Sequence, residues 1–333
     1  MAQASRSFKL AGGTKREGVE SLHAADVLTG AELSRADLEM ALGTAGRFKG
    51  SPGPFASALA GKTMVMLFEK ASLRTRVTFE VGAYRLGAQA IYLDHQQTKI
   101  GQRESIRDYG KNLERWAHCI VARTDSHGTV EALAREAGIP VINALSDTSH
   151  PCQALADMLT LKERFGKLEG LRLAYVGDGN NVCASLMLLG ARLGVKVTVV
   201  TPAGAEPREE AVRMARAGAE GKGSVELTND VGAVAGAHAV YTDTWTSMGS
   251  STSAERDAAF GPYQVNAELM RKAGPEAVFM HCLPAHRGVE VTDEVIDSPA
   301  SLVYEQAENR LHAQAGLMLH LMAGQGRGPS LVD

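Results

Sequence analysis

The sequence predicts an α/β protein of two domains, each built on a parallel β-sheet flanked by helices. Short apolar runs typical of buried strands alternate with helical segments along most of the chain. A chain of 333 residues exceeds what one ordinary hydrophobic core holds, so two domains of comparable size are expected. A hydrophobic content of 44% and a charged content of 22% are typical of a soluble globular protein.

Charge and cysteine usage argue against several classes of protein. A net charge of -3 gives no reason to expect nucleic-acid binding, and no apolar run is long enough to predict a membrane span. The four cysteines (Cys119, Cys152, Cys183 and Cys282) are widely spaced without a CxxC pair. This spacing fits neither a disulfide framework nor a zinc site and predicts a reducing, cytoplasmic location. Residues 1–16 are basic but lack an apolar segment, so we expect a disordered tail rather than a mitochondrial presequence.

The first half of the chain predicts one helix and then strands that alternate with further helices. The helix is expected from its N-cap, Ser34, to about Phe48, and a loop rich in glycine and proline follows it. Strands are expected at 63–68, 90–93, 119–122 and 141–143. Arg123 and His150 come soon after the last two strands, so we expect both at the carboxyl edge of the sheet, where ligands of open parallel sheets bind.

The segment 72–76 (SLRTR) lies where the first strand gives way to a helix, which is typical of an anion site. Backbone N–H groups at a helix N-terminus are unpaired and point toward whatever lies above it. Ser72 suits the N-cap position, and Thr75 adds a hydroxyl within the first turn. The segment therefore predicts a phosphate-binding turn.

Two arginines in this turn support the prediction, although another interpretation exists. A cation in the first helical turn opposes the helix dipole by about 0.3–1 kcal/mol, and a bound anion reverses that effect. Charge-assisted bonds to a phosphate contribute about 1.5–3 kcal/mol each. Alternatively, Arg74 and Arg76 are solvated and pair with Glu69 or Glu80.

The second half of the chain predicts another unit of the same kind. A helix opened by Pro151 and ended by Gly166 leads into it. Strands are expected at 172–176, 195–200, 225–227, 237–241 and 277–282, with a solvated helix at 206–218. A last strand at 302–304 is expected to precede a closing helix over 309–322.

Two polar segments follow strands in this half. The segment 177–181 (GDGNN) is a weak match to a dinucleotide-binding turn, because Val182 occupies the third glycine position. It either offers Asn181 to a ligand or is a tight turn that needs only its glycines and Asn180 for positive φ. Asp243, in 243–249 (DTWTSMG), either captures an ammonium group or caps the next segment.

Two further residues each allow two interpretations. Cys282 ends a strand in 281–284 (HCLP) and is either a core residue or a site residue. Chelation of a metal by His281 together with Cys282 is not expected, because neighbouring side chains on a strand point to opposite faces. Arg310, expected near a helix N-terminus, either pairs with Glu305 or Glu308 or reaches a ligand.

Seven segments in this order resemble the aspartate/ornithine carbamoyltransferase family over residues 28–322. They are FEKASLRTR, CIVAR, HPCQALAD, GDGNN, DTWTSMG, HCLP and AENR. The DTWTSMG and HCLP segments are similar to the family members that use ornithine rather than aspartate. The resemblance implies a carbamoyl-phosphate-binding domain over 1–150, completed by a C-terminal helix (311–333) that returns to it, and an ornithine-binding domain over 151–310.

The resemblance also implies a reaction and an assembly. The carbamoyl group of carbamoyl phosphate would pass to the δ-amine of L-ornithine, giving L-citrulline and phosphate in arginine biosynthesis, with no cofactor and no metal. The family works as a homotrimer or a multiple of trimers. Alternatives are another acceptor (putrescine or an N-acylornithine), a binding or regulatory protein without turnover, and a nicotinamide-dependent oxidoreductase, which the incomplete glycine pattern disfavours.

Site residues follow from the resemblance position by position. The residues implied to bind carbamoyl phosphate are Ser72, Leu73 (through its main chain), Arg74, Thr75, Lys99, Arg123, His150, Gln153, Cys282, Leu283 and Arg310. The residues implied to bind ornithine are Asn181, Asp243, Ser247 and Met248. The residues implied to be catalytic are Arg74, Arg123, His150, Asp243 and Cys282.

The sequence departs from the family pattern in two places, and one implied residue concerns a neighbouring subunit. Leu73 replaces a usual threonine, which is tolerable if only its N–H is used. Tyr109-Gly110-Lys111 replaces a threonine-containing run near the expected subunit contact. Lys99 lies where a neighbouring subunit would reach in.

Overall fold

The structure, a computed structural model, describes residues 21–245 and 254–323 and contains two parallel sheets. The predicted tail at 1–16 lies outside these residues. The strands are β1 (Thr63–Phe68), β2 (Gln89–Asp94), β3 (Cys119–Arg123), β4 (Val141–Leu145), β5 (Arg172–Val176), β6 (Lys196–Val200), β7 (Ser224–Thr228), β8 (Ala239–Thr242) and β9 (Val278–His281). In the described ranges no helix is both long and apolar enough to cross a membrane.

Helices connect and flank these strands. They are α1 (Arg35–Gly50), α2 (Leu73–Arg85), α3 (Ile106–Trp116), α4 (His127–Glu136), α5 (Pro151–Phe165), α6 (Asn181–Arg192), α7 (Glu209–Ala217), α8 (Ala254–Phe260), α9 (Ala267–Ala273), α10 (Asp293–Ile296) and α11 (Val303–Ala323). The predicted fold class, two α/β units with parallel sheets, is confirmed.

The order of the strands places the ends of β1 and β5 inside their sheets. The first sheet has the order β2-β1-β3-β4 and the second the order β7-β6-β5-β8-β9. In each sheet the chain therefore moves to opposite sides of an inner strand, β1 or β5. A crevice forms at the carboxyl end of such a switch point, because the connections leave in opposite directions. The turn at 72–76 follows β1, and the turn at 177–181 follows β5.

Three helix ends follow their predicted sequence signals. Ser34 and Asp37 form a capping box at the start of α1, in which the Ser34 side chain accepts from the Asp37 N–H. Ser72 caps α2 by accepting from the N–H of Thr75. Gly166 ends α5 in the left-handed conformation, at φ 76°, which glycine adopts without steric cost.

The last helix, α11, returns to the first sheet and packs against α1, α2 and α5. The approach to α1 is close, because a Cβ atom added at Gly316 would lie 2.7 Å from the main-chain oxygen of Ala41. Glycine therefore allows the two helices to meet at this point. This packing confirms the predicted return of the C-terminal helix and fixes the position of Arg310 in the molecule.

The predicted strand at 302–304 is wrong. Helix α11 already begins at Val303, and Ser301 forms only an isolated bridge with Phe279. The apolar run is helical because Val303 is buried in the second unit, whereas Tyr304 is exposed. Arg310 consequently lies in the middle of α11 and not near its N-terminus, where the sequence placed it.

Replacement of Gly316 by alanine is expected to lower the free energy of unfolding by about 1–3 kcal/mol, the scale of an overpacked core. The added methyl group would collide with the main chain of α1, which cannot rotate away as a side chain can. Gly46→Ala is the control, since no atom lies within 4 Å of its added Cβ in α1. It is expected to stabilise the protein by roughly 0.5–1 kcal/mol. Urea denaturation of both variants would test this, and equal effects would contradict the packing.

Candidate active site

A cleft of about 1490 Å³ lies at the carboxyl ends of strands from both sheets. Residues after β1, β3 and β4 line it from the first unit, and residues after β5, β8 and β9 line it from the second. The predicted site residues among its lining are Ser72, Leu73, Arg74, Thr75, Arg123, His150, Gln153, Asn181, Asp243, Cys282, Leu283 and Arg310. The topology therefore brings together residues that lie far apart in the sequence.

The turn that opens α2 lies at this cleft with the geometry expected of an anion site. Ser72 is the N-cap and Thr75 is buried, so the first N–H groups of the helix stand beside two hydroxyls. The side chain of Leu73 is 76% exposed. That exposure fits the expectation that only the main chain of Leu73 contributes to the site.

The two arginines of this turn have different surroundings. Arg76 pairs with Glu80 at 3.0 Å and lies 3.8 Å over the ring of Tyr92, so the surface interpretation is correct for this residue. Arg74 is half-buried at the cleft, and no described carboxylate lies within ion-pair distance of it. Burial lowers the pKa of Arg74. Arg74 is thus the arginine of the pair that is placed to meet an anion.

Arg310 reaches the same turn from α11. Its guanidinium donates to Oε1 of Gln153 at 2.6 Å and to Oγ1 of Thr75 at 3.1 Å. Neither Glu305 nor Glu308 forms an ion pair with it, so the ligand-directed interpretation of Arg310 is the one that the geometry favours. Neutral partners hold this buried cation in place without cancelling its charge.

Arg123 and His150 complete the polar wall of the first unit. Burial, reinforced by the nearby Arg310 and Arg74, lowers the pKa of Arg123 to about 10. Burial, followed by the neighbouring Arg310, Arg123 and Arg74, holds the pKa of His150 well below its usual range. The Nε of Arg123 and the Nδ1 of His150 are buried and have no hydrogen-bond partner among the described residues. A neutral imidazole and an unpaired guanidinium N–H are therefore available to a ligand oxygen.

The opposite wall carries a carboxylate and a thiol. Asp243 Oδ1 accepts from Cys282 Sγ at 3.0 Å, and Oδ2 accepts from Asn180 Nδ2 at 2.7 Å. Asp243 Oδ1 also accepts from the N–H of the adjacent Thr244. Burial raises the pKa of the Cys282 thiol well above its usual range, and Asp243 adds to this effect. Cys282 is thus a thiol that orients the carboxylate.

The turn after β5 places Asn181, a predicted site residue, and Asn180, which the sequence did not predict as one, at the cleft. Asn181 donates to the main-chain oxygen of Ser146 at 2.6 Å, and so connects the two units beside the cleft. Asn180 was assigned only a turn role that uses positive φ, which is wrong because its φ is -80°. Asn180 instead caps α6 through Oδ1 and fixes Asp243 through Nδ2. An asparagine before a helix was the available signal.

The two units correspond to two known domains. Residues 25–163 match the carbamoyl-P binding domain of aspartate/ornithine carbamoyltransferase, and residues 169–321 match the Asp/Orn binding domain of the same enzymes. The chain belongs to the aspartate/ornithine carbamoyltransferase family.

Individual relatives in this family cover nearly the whole chain. An ornithine carbamoyltransferase of Thermococcus kodakarensis is 50% identical over 92% of this chain and 99% of its own length. One from Shewanella oneidensis is 51% identical over 88% of this chain and 97% of its own. The solved structure of ornithine carbamoyltransferase from Pyrococcus furiosus superposes with a TM-score of 0.88 at 47% identity, covering 91% of this chain and 99% of that one.

Three residues near the carbamoyltransferase site could be mistaken for metal ligands. Asp243, His281 and Cys282 each offer a ligand atom, and these atoms lie within 4.8 Å of one another. Both ring nitrogens of His281 are already engaged, because Nε2 lies 3.2 Å from Glu290 and Nδ1 accepts from the N–H of Leu283. His281 therefore supports the chain around Leu283 and offers no free nitrogen to a metal.

One predicted site residue lies outside this cleft, and two others lie outside the described residues. Lys99 lies outside it, where its ammonium group pairs with Asp125 at 2.6 Å and donates to the main-chain oxygen of Glu69 at 3.1 Å. The expectation that Lys99 lies where a neighbouring subunit reaches into the site remains a prediction. Ser247 and Met248, predicted on the ornithine side, lie outside the described residues.

The low pKa of His150 predicts a pH dependence of stability. Below its ordinary pKa of about 6.5 the unfolded state binds a proton that the folded state refuses, so stability falls with falling pH, by at most about 1.4 kcal/mol per unit. His150→Gln lacks this loss and is expected to depend less on pH. Urea denaturation of both proteins between about pH 7.5 and 5.5, without phosphate, measures the difference. If the stability of the two proteins changes with pH in the same way, His150 takes up a proton in the folded state as readily as in the unfolded state.

Proposed function

We propose that this chain transfers the carbamoyl group of carbamoyl phosphate to the δ-amine of L-ornithine, giving L-citrulline and phosphate. The observation that carries the proposal is a wall of three arginines, Arg74, Arg123 and Arg310, that form no ion pair with a described carboxylate. This wall lies beside a helix N-terminus and opposite Asp243. A dianionic acyl phosphate matches the first wall, and an amino acid ammonium group matches the second. The family model and the relatives support the same reaction.

The phosphate and carbonyl oxygens would divide the polar groups of the first unit between them. Arg74 and the N–H groups of the turn at 72–75 take the phosphate, which leaves with the bridging oxygen as the bond between that oxygen and the carbamoyl carbon breaks. Arg123, His150 and Thr75 donate to the carbamoyl oxygen as negative charge develops on it. Neutral His150 suits this role, because it offers one N–H without adding a further charge to the cluster.

The attacking amine must reach the cleft without its extra proton. An alkyl amine with a pKa of about 10.4 is mostly protonated in neutral water. A site that excludes water and lies beside cationic arginines disfavours the ammonium form, so the neutral nucleophile becomes accessible. Asp243, Asn181 and the Cys282 thiol would orient the amino acid, with the thiol hydrogen bonded to Asp243 and not forming a covalent adduct.

Assembly and location extend the proposal. An apolar surface on α2 and the edge strand β2 includes Leu73, Val77, Tyr84 and Ile91, all exposed in the single chain. Burial of such a surface against another copy supports a homotrimer or a multiple of trimers, in which Lys99 approaches a neighbouring site. All four cysteines are free thiols, which supports the cytoplasm as the compartment. The domain limits 1–150 and 151–310, with 311–333 returning, are proposed with the same assignment.

A panel of amine acceptors tests the reaction directly. The purified protein is mixed with carbamoyl phosphate and L-ornithine, L-aspartate, putrescine or N-acetylornithine, and released phosphate is measured. Release is expected to depend on ornithine and to yield citrulline in equal amount. Faster release with putrescine or N-acetylornithine would move the proposal to that acceptor. If no acceptor in the panel causes phosphate release, carbamoyl transfer is contradicted.

Arg74→Ala is expected to lower kcat/KM for carbamoyl phosphate by at least about 100-fold, the scale of one lost transition-state donor. Arg76→Ala is the matched control from the same helical turn. Because Arg76 pairs with Glu80 and Tyr92 outside the cleft, its loss should be at least about tenfold smaller. Steady-state kinetics of both variants decide the matter. A loss of less than threefold in Arg74→Ala would remove this residue from the site.

A further inference from the structure

A fully buried carboxylate that none of the assigned roles uses lies behind the arginine wall. Asp157 on α5 is 0% exposed. Its Oδ1 accepts from Gln153 Nε2 at 2.8 Å and from Gln306 Nε2 at 2.7 Å, and its Oδ2 accepts from the Tyr241 hydroxyl at 3.2 Å. Three elements, α5, β8 and α11, therefore converge on one side chain that does not line the cleft.

The amide of Gln153 is held at both ends by this arrangement. Its NH2 donates to Asp157, while its oxygen accepts from the Arg310 guanidinium at 2.6 Å. A guanidinium only donates and Oδ1 of Asp157 only accepts here, so the opposite orientation of the amide is excluded. Burial raises the pKa of Asp157 to about 7. A proton bound there would lie on Oδ2, because two N–H groups occupy Oδ1, so it would not turn the amide.

We propose that Asp157 is a positioning residue, which commits the Gln153 NH2 to the protein interior and leaves only the Gln153 oxygen for a ligand in the cleft. This inference rests on the proposed function and deepens it. Gln153 lines the cleft, and an amide oxygen has a second lone pair beyond the one that Arg310 occupies. That lone pair can accept from the NH2 of a carbamoyl group.

The consequence is selection between two acyl phosphates of nearly equal size. Carbamoyl phosphate and acetyl phosphate differ in an NH2 group against a methyl group. The NH2 group of carbamoyl phosphate donates to the Gln153 oxygen, whereas the methyl group of acetyl phosphate would leave this oxygen facing carbon. A lost hydrogen bond of this kind separates two similar ligands more strongly than a difference in apolar contact. A Gln153 free to turn its NH2 toward the cleft would lose this preference.

Substitutions at Asp157 separate orientation from packing. Asp157→Leu removes the acceptor, so the Gln153 NH2 would be left buried and unpaired unless the amide turned toward the cleft. Asp157→Asn keeps one acceptor oxygen and is expected to restore the native orientation. Tyr241→Phe is the matched control, because it removes the contact to Oδ2 and leaves the contact between Gln153 and Asp157 intact.

The measured quantity is the ratio of the acetyl phosphate Kd to the carbamoyl phosphate Kd, obtained by calorimetry. Wild type is expected to show a ratio of at least about ten. Asp157→Leu should lower the ratio at least about fivefold, while Asp157→Asn and Tyr241→Phe stay within about twofold of wild type. Inorganic phosphate should bind all four proteins alike. An unchanged ratio in a folded Asp157→Leu protein would overturn the inference.

A second measurement decides the matter if Asp157→Leu does not fold. In a crystal structure of wild type with carbamoyl phosphate, the carbamoyl nitrogen is expected within hydrogen-bond distance of Gln153 Oε1, with Nε2 still on Asp157. A carbamoyl oxygen facing Gln153 would overturn the inference. The two proposals fail differently, since a wild-type protein that does not bind carbamoyl phosphate contradicts the function itself. Binding with the wrong group at Gln153 contradicts only the role of Asp157.

Discussion

The structure depends on a group of arginine side chains that the protein brings together without neutralising them. Arg123 and Arg310 are almost completely buried and Arg74 is half-buried, yet none of the three pairs with a described carboxylate. Burial and repulsion from the neighbouring arginines lower the pKa of Arg123 to about 10. This lowered pKa reflects the free-energy cost of holding buried cations close together. A bound anion offsets that cost. The site therefore favours a phosphorylated ligand before any contact specific to one substrate is made.

The architecture supplies what this cluster needs. The inner strand β1 delivers the turn with Arg74 to the middle of one edge, and β3 ends there with Arg123. Helix α11 crosses back from the second unit and inserts Arg310 against Thr75 and Gln153. Neutral hydrogen-bond partners fix the geometry of the cations and preserve their charge. The cleft between the units therefore has two different walls. The cationic wall suits an anion, and the opposite wall suits an ammonium group.

Local signals in the sequence were sufficient wherever one segment decides its own structure. The strand at 63–68, the cap at Ser72 and the stop at Gly166 lie where the sequence predicted them, because strand runs, helix caps and left-handed glycines act over a few residues. Arg123 and His150 were expected to converge, and they do so because the carboxyl ends of parallel strands share an edge.

Tertiary contacts decided the features that the sequence did not predict. The run at 302–304 is as apolar as a strand, but packing of Val303 into the second unit starts a helix there and carries Arg310 to mid-helix. Arg76 looks like Arg74 in the sequence, and only the positions of Glu80 and Tyr92 separate them. The contact of Asn180 with Asp243 spans 63 positions and that of Asp157 with Tyr241 spans 84, so no local pattern contains either contact.

The most direct test of the arginine cluster is thermal unfolding of the wild-type protein in inorganic phosphate and in sodium chloride at equal ionic strength. Linkage predicts that phosphate at about 100 times its Kd raises the stability by about 2.7 kcal/mol, whereas chloride, which screens without occupying the site, gives much less. A Tm that rises with phosphate well above its value in chloride agrees with an anion seated among Arg74, Arg123 and Arg310. Equal Tm values in the two salts would contradict the account.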